Sequence, residues 1–392
     1  MFSLEAAQSF LRQAKIDAWL VYDFRGSNPV FRQLLDQSRS ATRRAFLVIR
    51  PDGEPILLTH PVDQAAFRTV SYPRRFYRGW VEMHAKLKEL LGEVRVLALE
   101  YSSEGSLPAA ASVDAGTVEL LRSWGHEITS SADLFQVAAA AWDDAALNSH
   151  KRASALVAEV KDAAFDHVRD AIRRGRTVSE YELQQFILAG FVGRGLETTD
   201  VPIVQANGHS GDLYYEPTAE SSAPIGSGDW LLIDIWARLP GRQNVFADIA
   251  WVAFGGDEAP ARHRAVFEIV RGARDKAVGH LQACWERNEV VQGWQVDEVA
   301  RGHIVAAGYG ENFLHRTGHS LGPGERLHGL GVNIDNLETK DTRLILPRLG
   351  FSVEPGIYLP EFGVRLEINV FADPVSGPTV TTPVQNQIVL LA

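Results

Sequence analysis

The sequence lacks the features that several classes of protein require. Its 392 residues contain one cysteine, Cys284, which excludes a disulfide framework and a cysteine-ligated zinc cluster. Its apolar runs stop short of the roughly 18 consecutive residues that a membrane-spanning helix needs. The N-terminus has no basic start followed by an apolar run, so no secretory signal is expected. These absences predict a soluble, cytoplasmic protein with no membrane partner.

An excess of positive charge is also missing. The formal net charge is −10, from 39 basic and 49 acidic residues. Residues 1–140 hold 16 side chains of each sign, whereas residues 141–392 hold 23 basic and 33 acidic ones. An acidic second part argues against a nucleic-acid partner, because phosphate contacts need Lys and Arg. It fits either ordinary solubility or a site built from carboxylates.

The chain is long enough for two domains, and its pattern changes near residue 140. Before that point helical and strand patterns alternate along the chain. Helices are predicted over residues 4–13, 81–91 and 112–124, and strands over residues 18–22, 45–50, 55–59 and 94–99. Residues 1–140 are therefore predicted to form an α/β domain.

Beyond residue 140 the sequence predicts two pairs of helices, each associated with antiparallel strands. Thr177 and Glu180 have the spacing of a capping box at the start of the second helix. That helix is predicted to run from this capping box to about residue 191. The other helices are predicted over residues 151–174, 259–283 and 295–307, and the strands over residues 230–236, 245–254, 351–357 and 363–370. Residues 141–392 are therefore predicted to form an α+β domain with internal pseudo-symmetry.

Four carboxylates and one histidine of this second domain interrupt apolar strands or lie beside glycines. They are Asp234, Asp248, His319, Glu354 and Glu367. An ionised carboxylate among buried apolar strands costs several kcal/mol unless it is paired or bound to a cation. A single such residue is commonly a hydrogen-bonded core residue, but several brought together repel one another unless cations hold them ionised. The set therefore predicts a metal site.

The spacing of the carboxylates predicts two hairpins. Asp234 and Asp248 are 14 positions apart around a turn at residues 239–241, and an even separation is compatible with one sheet face. Glu354 and Glu367 are 13 positions apart around a second turn. A carboxylate-rich set with one imidazole suits Mn²⁺, Co²⁺ or Zn²⁺. Bridging carboxylates could hold two such ions about 3.5–4 Å apart.

In their order and contexts these five residues resemble the pita-bread metallopeptidases. That family includes methionine aminopeptidase, aminopeptidase P, Xaa-Pro dipeptidase (prolidase) and the metal-free creatinase. The resemblance spans residues 201–370 and is carried by Gly-His-Ser at 318–320, Val-Glu-Pro-Gly-Ile-Tyr at 353–358 and Gly-Val-Arg-Leu-Glu at 363–367. A preceding domain of about 140 residues is similar to the creatinase/prolidase branch. The resemblance implies a pita-bread catalytic domain, a creatinase-like N-terminal domain and a homodimer.

The resemblance also implies a role for each metal ligand. Asp234 binds one of two divalent ions, with Mn²⁺ preferred over Co²⁺ or Zn²⁺, and His319 binds the other. Asp248 and Glu367 bridge the ions. Glu354 binds the second ion and acts as the general base toward a bridging hydroxide.

Further residues are implied to contact the substrate. His328 stabilises the developing oxyanion, and Arg365 lies near the bound substrate. Tyr214 occupies the place of the family's upstream histidine, and His209, five residues earlier, is the other candidate for that contact and is preferred on its chemistry.

One further contact is implied for a dipeptide. Arg343 or Lys340 takes its free carboxylate, since basic residues precede the Glu354 motif similarly in prolidases.

The activity implied is metal-dependent hydrolysis of Xaa-Pro dipeptides. The alternatives are an Xaa-Pro aminopeptidase acting on longer peptides and a non-catalytic binding module of the same fold. Residues 318–322 also match the nucleophile elbow of serine hydrolases around Ser320. That mechanism needs a later acid and histidine, and His328 is the sole histidine after Ser320. We therefore predict a metallopeptidase.

Overall fold

The chain of the computed structural model divides into two units, Met1–Ala141 and Trp142–Ala392. The structure describes residues 2–36 and 40–392. Within that part of the chain no helix is long and apolar enough to cross a membrane.

The N-terminal unit is built on one mixed sheet. Its strands are β1 (Ala18–Asp23), β2 (Ala45–Ile49), β3 (Ile56–Thr59), β4 (Arg74–Phe76), β5 (Val96–Leu99) and β6 (Glu127–Ser130). They lie in the order β4-β3-β2-β1-β5-β6, and β2 runs antiparallel to β1 and β3. The α-helices are α1 (Leu4–Ala14), α2 (Pro29–Leu34), α3 (Trp80–Leu91), α4 (Ala115–Ser123) and α5 (Ala132–Phe135). The predicted helices and strands of this unit are therefore confirmed, with ends that differ by a few residues.

A carboxylate lies in the core of this unit. Glu100 follows β5, is fully buried, and accepts hydrogen bonds from Trp19 Nε1 at 2.7 Å, Asn28 Nδ2 at 2.7 Å and Ser131 Oγ at 2.8 Å. Burial raises the pKa of Glu100 to about 7, against the smaller opposing effect of these donors. The group therefore changes charge within the physiological pH range.

The C-terminal unit contains four longer helices and a larger number of short strands. The helices are α6 (Asp144–Arg173), α7 (Glu180–Gly193), α8 (Ala261–Glu286) and α9 (Gly293–Ala306). The strands are β7 (Val178–Ser179), β8 (Ile203–Ala206), β9 (Pro224–Ile225), β10 (Trp230–Ala237), β11 (Ala247–Phe254), β12 (Ser320–Leu321), β13 (Gly350–Val353), β14 (Gly356–Tyr358), β15 (Gly363–Arg365), β16 (Ile368–Asp373), β17 (Gly377–Val380) and β18 (Val389–Leu390).

These strands form two four-stranded sheets and two short ladders. The first sheet has the order β18-β11-β10-β8 and the second the order β12-β13-β16-β17. Buried side chains of α6 and α7 pack on β10 and β11, while those of α8 and α9 pack on β13 and β16. The predicted association of each helical pair with its own strands is confirmed.

The predicted capping box is wrong by two residues. Ser179 caps α7: its Oγ accepts from the Glu182 N–H at 3.1 Å, and Glu182 Oε2 accepts from the Ser179 N–H at 2.8 Å. Thr177 cannot fill this position because the next two residues form β7, which pairs with β9. Glu180 is consequently turned inward and is fully buried.

Candidate metal centre and cleft

The β10–β11 hairpin positions the two predicted aspartate ligands. Both strands are almost wholly buried, as their apolar sequences require. The antiparallel register pairs Asp234 with Ala250 and Trp236 with Asp248. Asp234 and Asp248 are therefore diagonal neighbours on the same sheet face, which confirms the face predicted from their even separation.

The two glutamates lie opposite each other at a junction between ladders. Val353 pairs with Ile368 at the end of the β13–β16 ladder, and Gly356 pairs with Arg365 at the start of the β14–β15 ladder. Both ladders share one register, which places Glu354 across from Glu367 in the gap between them. The predicted second hairpin is confirmed.

A tight backbone contact sets the position of His319. A Cβ on the preceding residue, Gly318, would lie 2.0 Å from the Ser352 carbonyl oxygen, so glycine is required there. The His319 N–H donates to Ser352 Oγ at 2.9 Å, and its Nδ1 lies 3.2 Å from the Ser320 carbonyl oxygen. Because a carbonyl accepts, Nδ1 carries the proton and Nε2 is left with its lone pair. Nε2 lies 3.3 Å from Asp248 Oδ2 and 3.6 Å from Glu354 Oε1.

These elements bring the five predicted ligands together in a buried cluster. One ligand atom from each of Asp248, His319 and Glu367 lies within 4.8 Å of the other two. Burial raises the pKa of Asp234 to about 6 and that of Asp248 to about 7. Burial also raises the pKa values of Glu354 and Glu367, and for Glu367 the neighbouring acids add to the rise. The carboxylates thus lack enough positive charge from the protein to stay ionised at low cost.

The cluster also fits a divalent metal through its unpaired oxygens. Among the described residues, Asp234 Oδ1, Asp248 Oδ1 and Glu367 Oε1 are buried side-chain atoms without a hydrogen-bond partner. Such atoms are rare in folded proteins because each costs roughly 1–3 kcal/mol. Carboxylate oxygens with one imidazole are a donor set that Mn²⁺, Co²⁺ and Zn²⁺ accept.

Arg365 contacts one of these ligands directly. Its guanidinium pairs with Asp234, and its Nε donates to the Tyr358 hydroxyl at 2.7 Å. The same hydroxyl lies 2.6 Å from His315 Nε2. Arg365 is therefore held at the edge of the cluster by a buried tyrosine.

The cluster opens into a cavity of about 1090 Å³. Its lining includes all five predicted ligands together with His328, Arg365 and Tyr214. The His328 ring centroid is 4.0 Å from that of His319, and Arg316 Nη2 lies 3.4 Å from His328 Nδ1. The nearby His319 and Arg316 lower the pKa of His328. Tyr214 is 96% exposed at the rim.

His209 is held away from the cavity lining by Glu180. The His209 Nδ1 lies 3.0 Å from Glu180 Oε1, and its ring stacks on Tyr215. Glu180 also accepts from the backbone N–H groups of Ala206 at 2.6 Å and Ala223 at 2.7 Å. The structure therefore brings Tyr214, rather than His209, to the cavity.

The predicted role of Arg343 in binding a substrate carboxylate is not compatible with its position. Arg343 is buried, its guanidinium pairs with Asp341 through Nε and Nη2, and its Nη1 donates to the Leu330 carbonyl at 2.9 Å. Since this guanidinium already has its partners, the prediction for Arg343 is corrected. Lys340 is exposed, with its Nζ 4.3 Å from the centre of the Trp294 ring, and it does not line the cavity either.

Several lining residues were not predicted from the sequence. Trp236 lies two positions after Asp234, and the same period-two rule that grouped the aspartates would have placed it beside them. Arg316 and Arg326 lie on irregular segments, where no periodicity indicates the direction of a side chain. Their presence in the lining follows from tertiary packing.

Comparisons with known proteins agree with this geometry. The model of metallopeptidase family M24 matches residues 149–374, more than half of the chain. The chain is 30% identical over 211 residues to a Xaa-Pro dipeptidase of Lactobacillus helveticus, an alignment that covers 53% of this chain and 51% of the relative. It spans between 51% and 61% of the length of the first curated relatives that it matches.

Solved structures are similar over nearly the whole chain. The structure of dipeptidase PepE from Mycobacterium ulcerans has a TM-score of 0.71 at 20% identity, covering 99% of this chain and 96% of that one. An X-Pro aminopeptidase from Thermotoga maritima MSB8 has a TM-score of 0.60 at 21% identity, covering 97% and 99%. At these identities the likeness shows the fold, and the predicted fold class of an α/β N-terminal domain followed by an α+β pita-bread domain is confirmed. The chain belongs to metallopeptidase family M24.

Proposed function

We propose that the chain is a divalent-metal-dependent peptidase that hydrolyses Xaa-Pro dipeptides. The observation that carries the proposal is the buried cluster of four carboxylates and one imidazole, with three unpaired oxygens, at the base of a cavity. Membership of the M24 family implies divalent metal ions. The name of the Lactobacillus relative supports the substrate class.

The proposed site holds two ions. Asp234 would bind one ion and His319 the other, Asp248 and Glu367 would bridge them, and Glu354 would complete the second site. When bound, such ions lower the pKa of water toward neutrality and polarise a carbonyl group. Mn²⁺ as the native ion, a homodimer and a cytoplasmic location belong to the same proposal.

Glu354 is the residue suited to move a proton. Its Oε1 accepts from Ser352 Oγ at 3.1 Å, and this hydroxyl in turn accepts from the His319 N–H, so the carboxylate is oriented by its own strand. Burial raises the pKa of this carboxyl group. In the proposed role, the carboxylate takes a proton from the attacking water and delivers it to the proline nitrogen as the bond breaks. His328, at the rim of the cluster, is placed to donate to the developing oxyanion.

The cavity supports a small peptide as the substrate. Apolar side chains of its lining, Ile203, Leu213, Leu314 and Leu327, can select the proline ring by shape, since the imide nitrogen of proline offers no N–H. A volume of about 1090 Å³ is at the upper end for a small-molecule site and leaves room for a longer peptide. An Xaa-Pro aminopeptidase is therefore the second candidate.

Metal removal and return test the proposal. We expect chelation to abolish hydrolysis of Ala-Pro by the purified protein, and Mn²⁺ or Co²⁺ to restore it. Cleavage of Ala-Pro-Ala at a comparable kcat/KM would favour the aminopeptidase. Full activity after exhaustive chelation, or metal binding without cleavage of either peptide, would contradict the proposal and, in the second case, favour a binding module.

A further inference from the structure

One end of the cavity carries polar groups that the proposed chemistry does not use. The indole of Trp236 lines the cavity and is only 9% exposed. Its Nε1–H is buried and has no acceptor among the described residues. It shares this property with three carboxylate oxygens in the same cavity, for which the proposed ions would be the partners. A group that enters the cavity is therefore the natural partner of this N–H.

The sheet register places Trp236 close to the reaction centre. Trp236 is directly opposite Asp248 and two residues beyond Asp234 on the same face of β10. Residues two apart on a strand are separated by about 7 Å, which is the length of two extended residues. A substrate residue next to the scissile bond would therefore lie within reach of the indole.

Arg238, two residues beyond Trp236, is hydrogen-bonded to two other segments of the chain. Its backbone N–H donates to the Glu197 carbonyl at 2.9 Å, and its carbonyl accepts from the Glu197 N–H at 2.9 Å. Its Nε donates to Glu197 Oε1 at 2.9 Å. Its guanidinium also donates to the Gly324 carbonyl. Asp200 follows Glu197 by three residues and Arg326 follows Gly324 by two, and both line the cavity.

Outside the proposed metal ligands, Asp200 and Arg326 are the charged lining residues that have no ionic partner in the described part of the chain. The other two arginines of the lining form ion pairs, Arg316 with Glu338 and Arg365 with Asp234. The Asp200 carboxylate accepts from the neighbouring Thr199 hydroxyl at 2.8 Å. Both unpaired residues are exposed to the cavity and to solvent.

We propose that Trp236 and Arg326 form the subsite for the side chain of the substrate residue Xaa and select an acidic or carboxamide side chain. This inference rests on the proposed function. The free amine of Xaa is cationic and is attracted to Asp200, so Xaa lies at this end of the cavity. The indole N–H and the guanidinium are both donors, and they match a side-chain oxygen acceptor on that residue.

Two substitutions remove the proposed polar contacts and keep most of the side-chain packing. Trp236→Phe keeps an aromatic ring and removes the N–H, and Arg326→Met keeps the length and removes the charge. Trp251→Phe is a matched control: its Nε1–H is likewise buried without an acceptor in the described chain, but Trp251 pairs with Ile233 and so lies on the other sheet face, where it packs against Lys161.

The measurement is kcat/KM of the metal-loaded proteins for Glu-Pro, Gln-Pro and Leu-Pro. We expect the Glu-Pro to Leu-Pro ratio to fall by about tenfold in Arg326→Met, as for loss of one hydrogen bond to a charged group. Trp236→Phe should lower the Glu-Pro and Gln-Pro values severalfold through KM, and by more than it lowers the Leu-Pro value. Trp251→Phe should leave all three values unchanged.

Equal losses for Glu-Pro and Leu-Pro in Arg326→Met would overturn the proposal, because they would assign Arg326 to the terminal carboxylate that both peptides share. Unchanged ratios in both variants would overturn it as well. If the metal-loaded wild type cleaves no Xaa-Pro peptide, the proposed function fails, and calorimetric titration of Glu-Pro and Leu-Pro into the same proteins still tests the subsite. Tighter binding of Glu-Pro that is lost in Arg326→Met supports it, and equal affinities refute it.

Discussion

Glu354 occupies a position in which a carboxylate can both bind a cation and exchange a proton. We expect Glu354→Gln to lower kcat for Ala-Pro by a factor of about 10²–10⁴, the usual contribution of a general base or acid. The reason is that an amide cannot accept and return a proton. Steady-state kinetics with saturating Mn²⁺ measure the effect.

The matched control for this substitution is Glu361→Gln, in the β14–β15 turn. Glu361 is exposed and pairs with Arg262, outside the cavity lining. This variant should keep wild-type kcat. Full turnover by Glu354→Gln would exclude the proton-transfer role.

Glu100 makes the stability of the N-terminal unit depend on pH. Its folded-state pKa of about 7 lies above the ordinary value of 4.5, so between these values the folded chain holds a proton that the unfolded chain has lost. The stability that this group contributes is therefore complete below about pH 4.5 and decreases as the pH rises to about 7, by on the order of 3 kcal/mol. We expect denaturant unfolding to show that decrease.

The variant Glu100→Gln isolates this effect from the other titrating groups. The amide does not titrate in this range. The free energy of unfolding of Glu100→Gln, relative to that of wild type, should therefore increase from pH 5 to pH 8. A difference that is constant over this range would refute the raised pKa. Glu104→Gln, an exposed neighbour, should follow wild type at both values.

At the scale of elements, Ser179 and Thr177 are the two candidates for the N-cap of α7, and substitutions distinguish between them. We expect Ser179→Ala to lower the free energy of unfolding by about 1 kcal/mol, because it leaves the Glu182 N–H without its acceptor. Urea unfolding followed by circular dichroism measures the change. Thr177→Ala should lower the free energy of unfolding much less. A larger loss in Thr177→Ala than in Ser179→Ala would instead support the capping box predicted from the sequence.

The two hairpins that carry the proposed metal ligands show what the sequence can predict. The number of positions between two carboxylates in apolar strands predicts whether they share a sheet face, because side chains along a strand alternate with a period of two. The predictions for Arg343 and His209 lacked such a constraint. Their partners, Asp341 and Glu180, are acids whose inward orientation depends on local turns and on the exact start of a helix. Donor and acceptor pairing of this kind is decided by three-dimensional packing, which a one-dimensional pattern does not contain.

At the scale of the whole molecule, metal binding and stability should be coupled. A ligand that binds the folded state alone stabilises it by about 2.7 kcal/mol at a hundred times its dissociation constant. We expect Mn²⁺ to raise the unfolding temperature of the chelated protein, by several degrees, in differential scanning calorimetry. Asp248→Asn should lose this rise, since it removes a proposed bridging ligand.

The control for this coupling is Asp257→Asn. Asp257 is exposed, and its side chain lies outside the cavity lining. This variant should show the wild-type rise. If Asp248→Asn also kept the full rise, the stabilising ion would be bound elsewhere.

The proposed metal ligands come from two different sheets. Asp234 and Asp248 belong to the first sheet, and Glu354 and Glu367 border β13 and β16 of the second. The sheets are joined here by hydrogen bonds such as that from the Glu367 N–H to the Ala250 carbonyl at 3.2 Å and that from the Asp248 N–H to Asn369 Oδ1 at 2.9 Å. An ion shared by both sheets would therefore act as a crosslink between distant parts of the chain, with the loop-closing effect of a disulfide. A protein with one cysteine would thus have a reversible crosslink that needs no disulfide. Its resistance to proteolysis would then be higher when the metal is bound than when it is absent.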